Sequence, residues 1–256
     1  MLEDIGIYHK INLIYETDSI LKEITNKYFS RSKGKLQEPD YIASLALDFP
    51  RAFHHLLSSI LKMCKFSVTG IFCHQKPIAN FVNEIGSCEI GDLLLIYIFR
   101  DVKGIKHFNS LLLQAKISKT SRLNVNISDN QLNLYSKWPK FRYSRAGNKN
   151  GIERDIIPKI YMAGAKYLLI DPDNDIFRRN ISNEYIYGTS IASTPLIINN
   201  PFSVELIDFI NFKRGRTFEE RPEGTGTDVW TSDEWSKMIW DMIDIVKDNN
   251  SRRKIL

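Results

Sequence analysis

Two apolar runs joined by a short charged turn constrain this chain more than any other feature. Residues 93–99 read Leu-Leu-Leu-Ile-Tyr-Ile-Phe, a run too short for an ordinary helix and with the composition of a strand. Residues 100–104 then break the run with charge and a glycine, and a second apolar run follows at 111–113. The pattern predicts two neighbouring antiparallel strands.

Polar side chains lie at one end of this predicted hairpin. Asp92 opens the first strand, while Gln114 and Lys116 end the second. Because side chains alternate between faces along a strand, Gln114 and Lys116 point the same way, and antiparallel pairing brings Asp92 beside them. Polar groups against an apolar core need partners, so two interpretations stay open: a structural Asp–Lys pair, or a site that carries chemistry.

This arrangement resembles the PD-(D/E)XK nuclease superfamily, which has an acid at the start of one strand and acid-x-Lys on the next. Asp92 matches the first acid and Lys116 the lysine, and Gln114 matches the Gln-x-Lys variant of Mrr-type enzymes. The resemblance implies an α/β fold, with a restriction-endonuclease-like mixed β-sheet flanked by helices and extra N- and C-terminal helices. We expect an N-terminal helical region at 1–64, a nuclease core at 65–200 and a C-terminal helical region packed on the core at 201–256.

The same resemblance implies metal-dependent hydrolysis of phosphodiester bonds. Asp92, the side-chain oxygen of Gln114 and the carbonyl of Ala115 would hold Mg²⁺ or Mn²⁺, and Lys116 would position or activate the attacking water. An amide brings no charge to the ion, so we expect weaker metal binding than a glutamate would give.

A further acid completes the site in related enzymes, often on a helix that precedes the strands. Glu84 and Glu89 are the candidates, and Glu89 is favoured because it lies three residues before Asp92. We predict a short helix that starts after Pro77 and ends at Glu84. A solvated surface carboxylate is the alternative for either residue.

Charge is unevenly distributed along the 256 residues, whose formal net charge is +5. From Lys116 to Lys149 there are eight Lys and Arg residues against one acid, whereas from Thr217 to Asp248 nine acids face three basic residues. A positive segment directly after the candidate lysine suits a phosphate backbone. The residues predicted to bind nucleic acid are Lys119, Lys137, Lys140, Arg142 and Arg145.

Aromatic residues alternate with these cations between 137 and 145. They either stack on bases or pack beneath a basic surface, and the sequence leaves both open for Trp138, Phe141 and Tyr143. Residues 129–135 predict a short helix capped by Asp129, on which Gln131 is a further candidate to face the site. Residues 233–246 predict a C-terminal helix with an apolar packing stripe.

The cysteines and the hydropathy pattern bear on compartment. Cys64, Cys73 and Cys88 contain no Cys-x-x-Cys pair, so we expect reduced core thiols and no zinc site with His74. No apolar stretch approaches the ~20 residues of a membrane span, and the first residues lack a signal-peptide pattern. We therefore expect a cytoplasmic protein with no membrane partner.

These observations favour a Mg²⁺-dependent DNA endonuclease, for which an anti-phage or restriction system is one setting. A recognition domain is not evident, so we expect target choice to come from a partner protein or a homo-oligomer. Two alternatives stay open. One is a non-catalytic nucleic-acid-binding or assembly subunit of the same fold, with Gln114 marking lost activity. The other is an RNA-cleaving toxin on this scaffold.

Overall fold

The two apolar runs form adjacent strands inside a mixed sheet. The computed structural model describes residues 7–31, 36–62, 64–118, 122–159, 164–172, 186–225 and 230–253. Within them the helices are α1 (Ile7–Arg31), α2 (Glu38–Leu47), α3 (Phe49–Ile60), α4 (Asn130–Lys137), α5 (Phe202–Ile210) and α6 (Glu234–Arg253). The strands are β1 (Lys65–Phe72), β2 (Ile78–Phe81), β3 (Ser87–Glu89), β4 (Leu93–Arg100), β5 (Lys106–Ile117), β6 (Arg122–Leu123), β7 (Phe141–Ser144), β8 (Glu153–Arg154), β9 (Ala165–Ile170), β10 (Tyr187–Ser190), β11 (Leu196–Ile197), β12 (Asn200–Pro201) and β13 (Arg216–Thr217). This mixed α/β architecture, with helices in both terminal regions, confirms the predicted fold class.

The predicted hairpin is the pair β4–β5. It runs antiparallel from Leu93 opposite Leu113 to Arg100 opposite Lys106. Asp101 holds the turn, because its Oδ1 accepts two backbone N–H groups at 2.9 Å. The main sheet has the order β1–β4–β5–β9–β10–β12, and β13 pairs with the first half of β5. β9 is parallel to β5, and the connection between them contains α4, as a parallel crossover requires.

Both faces of the central strands are buried, which explains why their sequences are continuously apolar instead of alternating. On one face, Leu93, Leu95 and Leu113 pack with residues of α1, α2, α3 and α5. On the other face, Leu94 and Leu112 pack with residues of α4, α6 and the second sheet. The helical terminal regions therefore cover the same sheet that carries the candidate residues.

Gly70 in β1 sets the position of α2. A Cβ atom at Gly70 would lie 2.7 Å from the carbonyl oxygen of Ala46 and 2.8 Å from its Cα. Those atoms belong to the helix backbone and cannot move aside, so only glycine lets α2 lie this close to the sheet. The first turn of α2 is thereby carried to the end of β5, where the candidate lysine lies.

The helix predicted after Pro77 is wrong. Residues 78–81 form β2, which pairs with β3 on one side and β7 on the other in a second sheet of order β3–β2–β7–β8. The burial of this segment alternates, with Ala79 and Phe81 inside. Proline is as acceptable just before a strand as at the start of a helix, and cross-strand packing decided the outcome.

The other two predicted helices are present. Asp129 caps α4, since its carboxylate accepts the backbone N–H groups of Gln131 at 2.8 Å and Leu132 at 3.0 Å. The apolar stripe of α6 is buried, with Trp235 and Met238 fully enclosed. No helix in the described ranges is long and apolar enough to cross a bilayer.

Candidate metal centre

Asp92 lies at the start of β4, between β1 and β5. Its backbone N–H donates to the Leu113 carbonyl at 2.8 Å, and its own carbonyl accepts the Cys73 N–H at 2.8 Å. The preceding Gly91 allows a close approach, since a Cβ there would lie 2.7 Å from the Tyr135 hydroxyl. That hydroxyl donates to the Ile90 carbonyl at 2.8 Å and so ties α4 to the strand start. The carboxylate of Asp92 is buried in this frame.

The two carboxylate oxygens of Asp92 have different neighbours. Oδ2 accepts the side-chain amide of Gln114 and the backbone N–H of Ala115, the latter at 2.7 Å. Oδ1 lies 3.0 Å from Nδ1 of His74. The structure thus brings Asp92 and Gln114 together, in a donor–acceptor contact that fixes the rotation of the carboxylate.

His74 and Glu89 complete a compact group with Asp92. The ligand atoms that the three side chains offer lie within 4.8 Å of one another, and Nδ1 of His74 is 3.4 Å from Oε2 of Glu89. His74 lies in the turn after β1, and Glu89 ends β3, which pairing with β2 draws toward that turn. Burial raises the pKa of Glu89, and the nearby Asp92 carboxylate raises it further. A backbone hydrogen bond from Gln75 and the charge of His74 lower it in part.

Glu38 is close enough to the same group to interact with it electrostatically. It is the first residue of α2, and its carboxylate accepts the backbone N–H of Ile117 at the end of β5. Burial raises the pKa of Glu38, and Asp92 raises it further, while the charges of Lys116 and His74 oppose the shift. Three carboxylates and two nitrogen bases therefore interact around one end of the hairpin.

Ala115 and Lys116 lie close to the C-terminal end of β5. Lys116 is half-buried and lies two residues beyond Gln114, hence on the same face of β5. The backbone N–H of Ala115 donates to Asp92. Because the N–H and carbonyl of a strand residue point toward the same neighbouring strand, the Ala115 carbonyl also points toward β4. Ligand roles for Gln114 and Ala115 stay predictions.

The remaining predicted residues are dispersed. Glu84 is exposed and its carboxylate accepts the side-chain amide of Asn133 at 2.7 Å, so it is engaged with α4 and is not in the group around Asp92. Gln131 lines a groove that also contains Glu89. Cys64, Cys73 and Cys88 are free thiols, as expected.

The predicted nucleic-acid-binding cations differ in how far their charge is neutralised. Lys140 and Arg142 both pair with Glu153. Lys137 and Arg145 are exposed, and Lys119 falls outside the described residues. Base stacking by the interleaved aromatic residues is excluded in this structure, because their rings pack in the core: Trp138, Phe141 and Tyr143.

Part of the basic segment contacts the acidic C-terminal helix. Lys149 is buried with Nζ 3.2 Å from Asp241 and 3.3 Å from Asp244. Arg154 joins the same helix through Asp241 at 2.7 Å. The two oppositely charged segments in the sequence thus meet in the fold, and the net positive surface is smaller than the residue count suggests.

Sequence reasoning missed His74 and Glu38. For His74 the available signal is its place shortly before Asp92 in the sequence, but the adjacent Cys73 points to a zinc site instead. Glu38 has no local signal beyond being an acid at a helix start, because only the packing of α2 on β1 brings it to the site. The donor set of two carboxylates and an imidazole fits a divalent cation, as does the buried Oε1 of Gln114, which has no hydrogen-bond partner within the described part of the chain. No family model, curated protein or solved structure matches this chain.

Proposed function

We propose that this chain is a metal-dependent nuclease that hydrolyses phosphodiester bonds in DNA. The observation that carries the proposal is that the two carboxylate oxygens of Asp92 have different partners. Gln114 and Ala115 hold one carboxylate oxygen, and the other is turned toward His74 and Glu89. A buried carboxylate fixed in this way is pre-organised to hold a cation beside a reactive lysine.

The proposed ligands are Asp92, Glu89 and His74, with Gln114 and Ala115 close enough to join them. When bound, Mg²⁺ or Mn²⁺ would supply Lewis-acid charge to the phosphate oxygens. His74 brings a nitrogen donor, which suits Mn²⁺ better than the harder Mg²⁺. Resemblance to the PD-(D/E)XK pattern supports the same assignment of Asp92 and Lys116.

Lys116 and Glu38 supply the chemistry of the chain itself. We expect the ammonium of Lys116 to offset the negative charge that develops on the phosphate and to orient the attacking water. In related enzymes a further acid on a preceding helix often completes the site. Glu38 lies on such a helix, so we assign to Glu38 this role, for which Glu84 and Glu89 were the sequence candidates. With its raised pKa, Glu38 can accept a proton near the lysine.

The setting of this activity is part of the proposal. Free thiols fit a reducing compartment, so we place the enzyme in the cytoplasm. An effector role in an anti-phage or restriction system is the proposed setting, in which a partner protein or a second copy would choose the target.

Plasmid nicking with Mg²⁺ or Mn²⁺ tests the proposal. Asp92→Asn and Lys116→Met should each lower the rate by about 10³-fold, because they remove a ligand and the charge beside the reacting phosphate. Lys103→Met is the matched control, since it removes an exposed lysine from the turn at the other end of the same hairpin. Equal cutting by all four proteins would remove the assigned site. An RNA substrate run in parallel separates a DNase from an RNA-cleaving toxin.

One observation favours a second function, a non-catalytic nucleic-acid-binding or assembly subunit. The Gln114 amide and His74 already satisfy both oxygens of Asp92 without a cation. Salt-sensitive DNA binding without metal-dependent cleavage would support this alternative.

A further inference from the structure

A polar groove opens beside the candidate metal centre. It has a volume of about 500 Å³ and lies between β2, β3, β7 and the start of α4. Glu89 belongs both to the groove and to the group around Asp92, so anything bound in the groove lies next to the proposed cation. The volume is in the roughly 300–1,000 Å³ range of small-molecule sites.

The groove wall is built from hydrogen-bonding side chains. Asn80, Ser87, Gln131 and Ser144 line it, together with Ile78 and Cys88. Asn80 is held in place because its amide donates to the Ser144 hydroxyl at 2.8 Å. Amide and hydroxyl groups of this kind can pair with the edge of a base that is not itself paired.

Arg145 supplies the charge. It is exposed and lines the groove, at a φ of 53° that few residues other than glycine adopt. This turn is fixed by Asn150, whose side-chain oxygen accepts the N–H of the next residue, Ala146, at 2.7 Å. Lys140 and Arg142 pair with Glu153, whereas no ion pair joins Arg145 to a described residue.

We propose that this groove binds one unpaired nucleotide of the DNA strand beside the scissile phosphate, with Arg145 pairing its phosphate. The inference rests on the proposed function and adds the form of the substrate to it. A guanidinium is suited to a phosphate because it forms two parallel hydrogen bonds. The groove is too small for two paired strands, so the preferred substrate is single-stranded DNA or a frayed end.

Binding measured without cleavage tests this inference. The probe is a fluorescein-labelled single-stranded octathymidylate, compared in EDTA with a blunt hairpin duplex by fluorescence anisotropy. We expect tighter binding of the single strand. Arg145→Gln should weaken it about tenfold, and Lys103→Gln, which removes an exposed charge outside the groove, by less than about twofold. Ser87→Leu should also weaken binding, because it fills the groove without changing charge.

Equal weakening by Arg145→Gln and Lys103→Gln would overturn the inference, since it would mean that only overall charge matters. Tighter binding of the duplex, or of an octauridylate RNA, would overturn the proposed substrate. Because EDTA prevents metal-dependent cleavage, the two proposals fail separately. If the protein binds the single strand through Arg145 but never cuts DNA, the proposed nuclease activity is wrong and the proposed nucleotide site is supported.

Discussion

Gln114 meets Asp92 as a hydrogen-bond donor, although the resemblance to the PD-(D/E)XK pattern implies that both residues are metal ligands. An amide nitrogen cannot bind a cation, and the Oε1 of Gln114 is buried with no hydrogen-bond partner among the described residues. A half-turn of the amide would present that oxygen on the side of Asp92. For the proposed ion, Gln114 would therefore either orient the Asp92 carboxylate or become a ligand itself.

Replacement of Gln114 separates these roles. Gln114→Glu removes the donor and adds a charge beside Asp92, so without metal it should destabilise the fold by about 2–3 kcal/mol. Mg²⁺ should then raise its melting temperature more than that of the wild type, because a third carboxylate strengthens a hard-cation site. Gln114→Leu removes the same donor without adding charge and should not gain this response. Thermal unfolding with and without Mg²⁺ measures both; an unchanged Mg²⁺ response of Gln114→Glu contradicts the assignment.

His74 should influence which metal is used. His74→Asn replaces an imidazole by an amide, so the ratio of kcat/KM in Mn²⁺ to that in Mg²⁺ should fall about tenfold. His107→Asn is the control, because His107 contacts a carboxylate, Asp101 at 3.1 Å, in the turn between β4 and β5. The same fall in both variants would mean that His74 is not a ligand.

Glu38 should make metal binding depend on pH. Its pKa is raised, so its protonated form stabilises the fold at low pH, and this stabilisation is lost as pH rises through the raised pKa. Because a charged Glu38 attracts a nearby cation and a protonated one does not, the Mg²⁺-induced rise in melting temperature should grow as pH rises above the ordinary pKa of a glutamate. Glu38→Gln should reduce this growth without abolishing it, because the pKa of the ligand Glu89 is raised as well. The variant should be more stable than the wild type at pH 8 without metal. Glu84→Gln should change neither the pH dependence of the Mg²⁺ response nor the stability at pH 8. If Glu84→Gln reduced the pH dependence as much as Glu38→Gln, the role of Glu38 would be contradicted.

Asp18 on α1 gives a separate test of the packing of the N-terminal helix. Burial raises its pKa to about 7, and its Oδ2 has no hydrogen-bond partner in the described part of the chain. The stability that neutral Asp18 contributes is complete below its unfolded pKa near 3.8 and is lost as pH rises through about 7. Asp18→Asn should therefore stabilise the protein more at pH 8 than at pH 5, by about 2 kcal/mol in urea unfolding.

Glu16→Gln on the same helix is the control for Asp18, since Glu16 is exposed. It should leave the pH dependence of stability unchanged. If the stabilisation by Asp18→Asn did not vary with pH, the Asp18 carboxyl would be solvated, and α1 would pack more loosely than it does in this structure.

Elements defined by local chemistry could be predicted from the sequence. The β4–β5 hairpin follows from two apolar runs around a charged turn, and α4 follows from the Asp129 cap. The segment after Pro77 could not, because four residues with alternating burial become a strand only when β3 and β7 lie beside them. Tertiary pairing outweighed the proline signal there.

The candidate site divides in the same way. Asp92, Gln114 and Lys116 share one hairpin, so strand alternation places them without knowledge of the fold. His74 arrives through the turn after β1, and Glu38 through the close contact of α2 with Gly70. Such residues are far apart in sequence, and their meeting depends on packing that no local pattern encodes.

A crystal grown with Mn²⁺ and measured at the manganese absorption edge tests the central claim most directly. We expect an anomalous peak about 2.2 Å from Oδ1 of Asp92, in contact with Glu89 and His74. The distance between Nδ1 of His74 and Oδ1, 3.0 Å here, would then be spanned by a shared ion instead of a hydrogen bond. Good Mn²⁺ data with no peak at this position, and with the His74–Asp92 hydrogen bond intact, would contradict a metal-dependent nuclease.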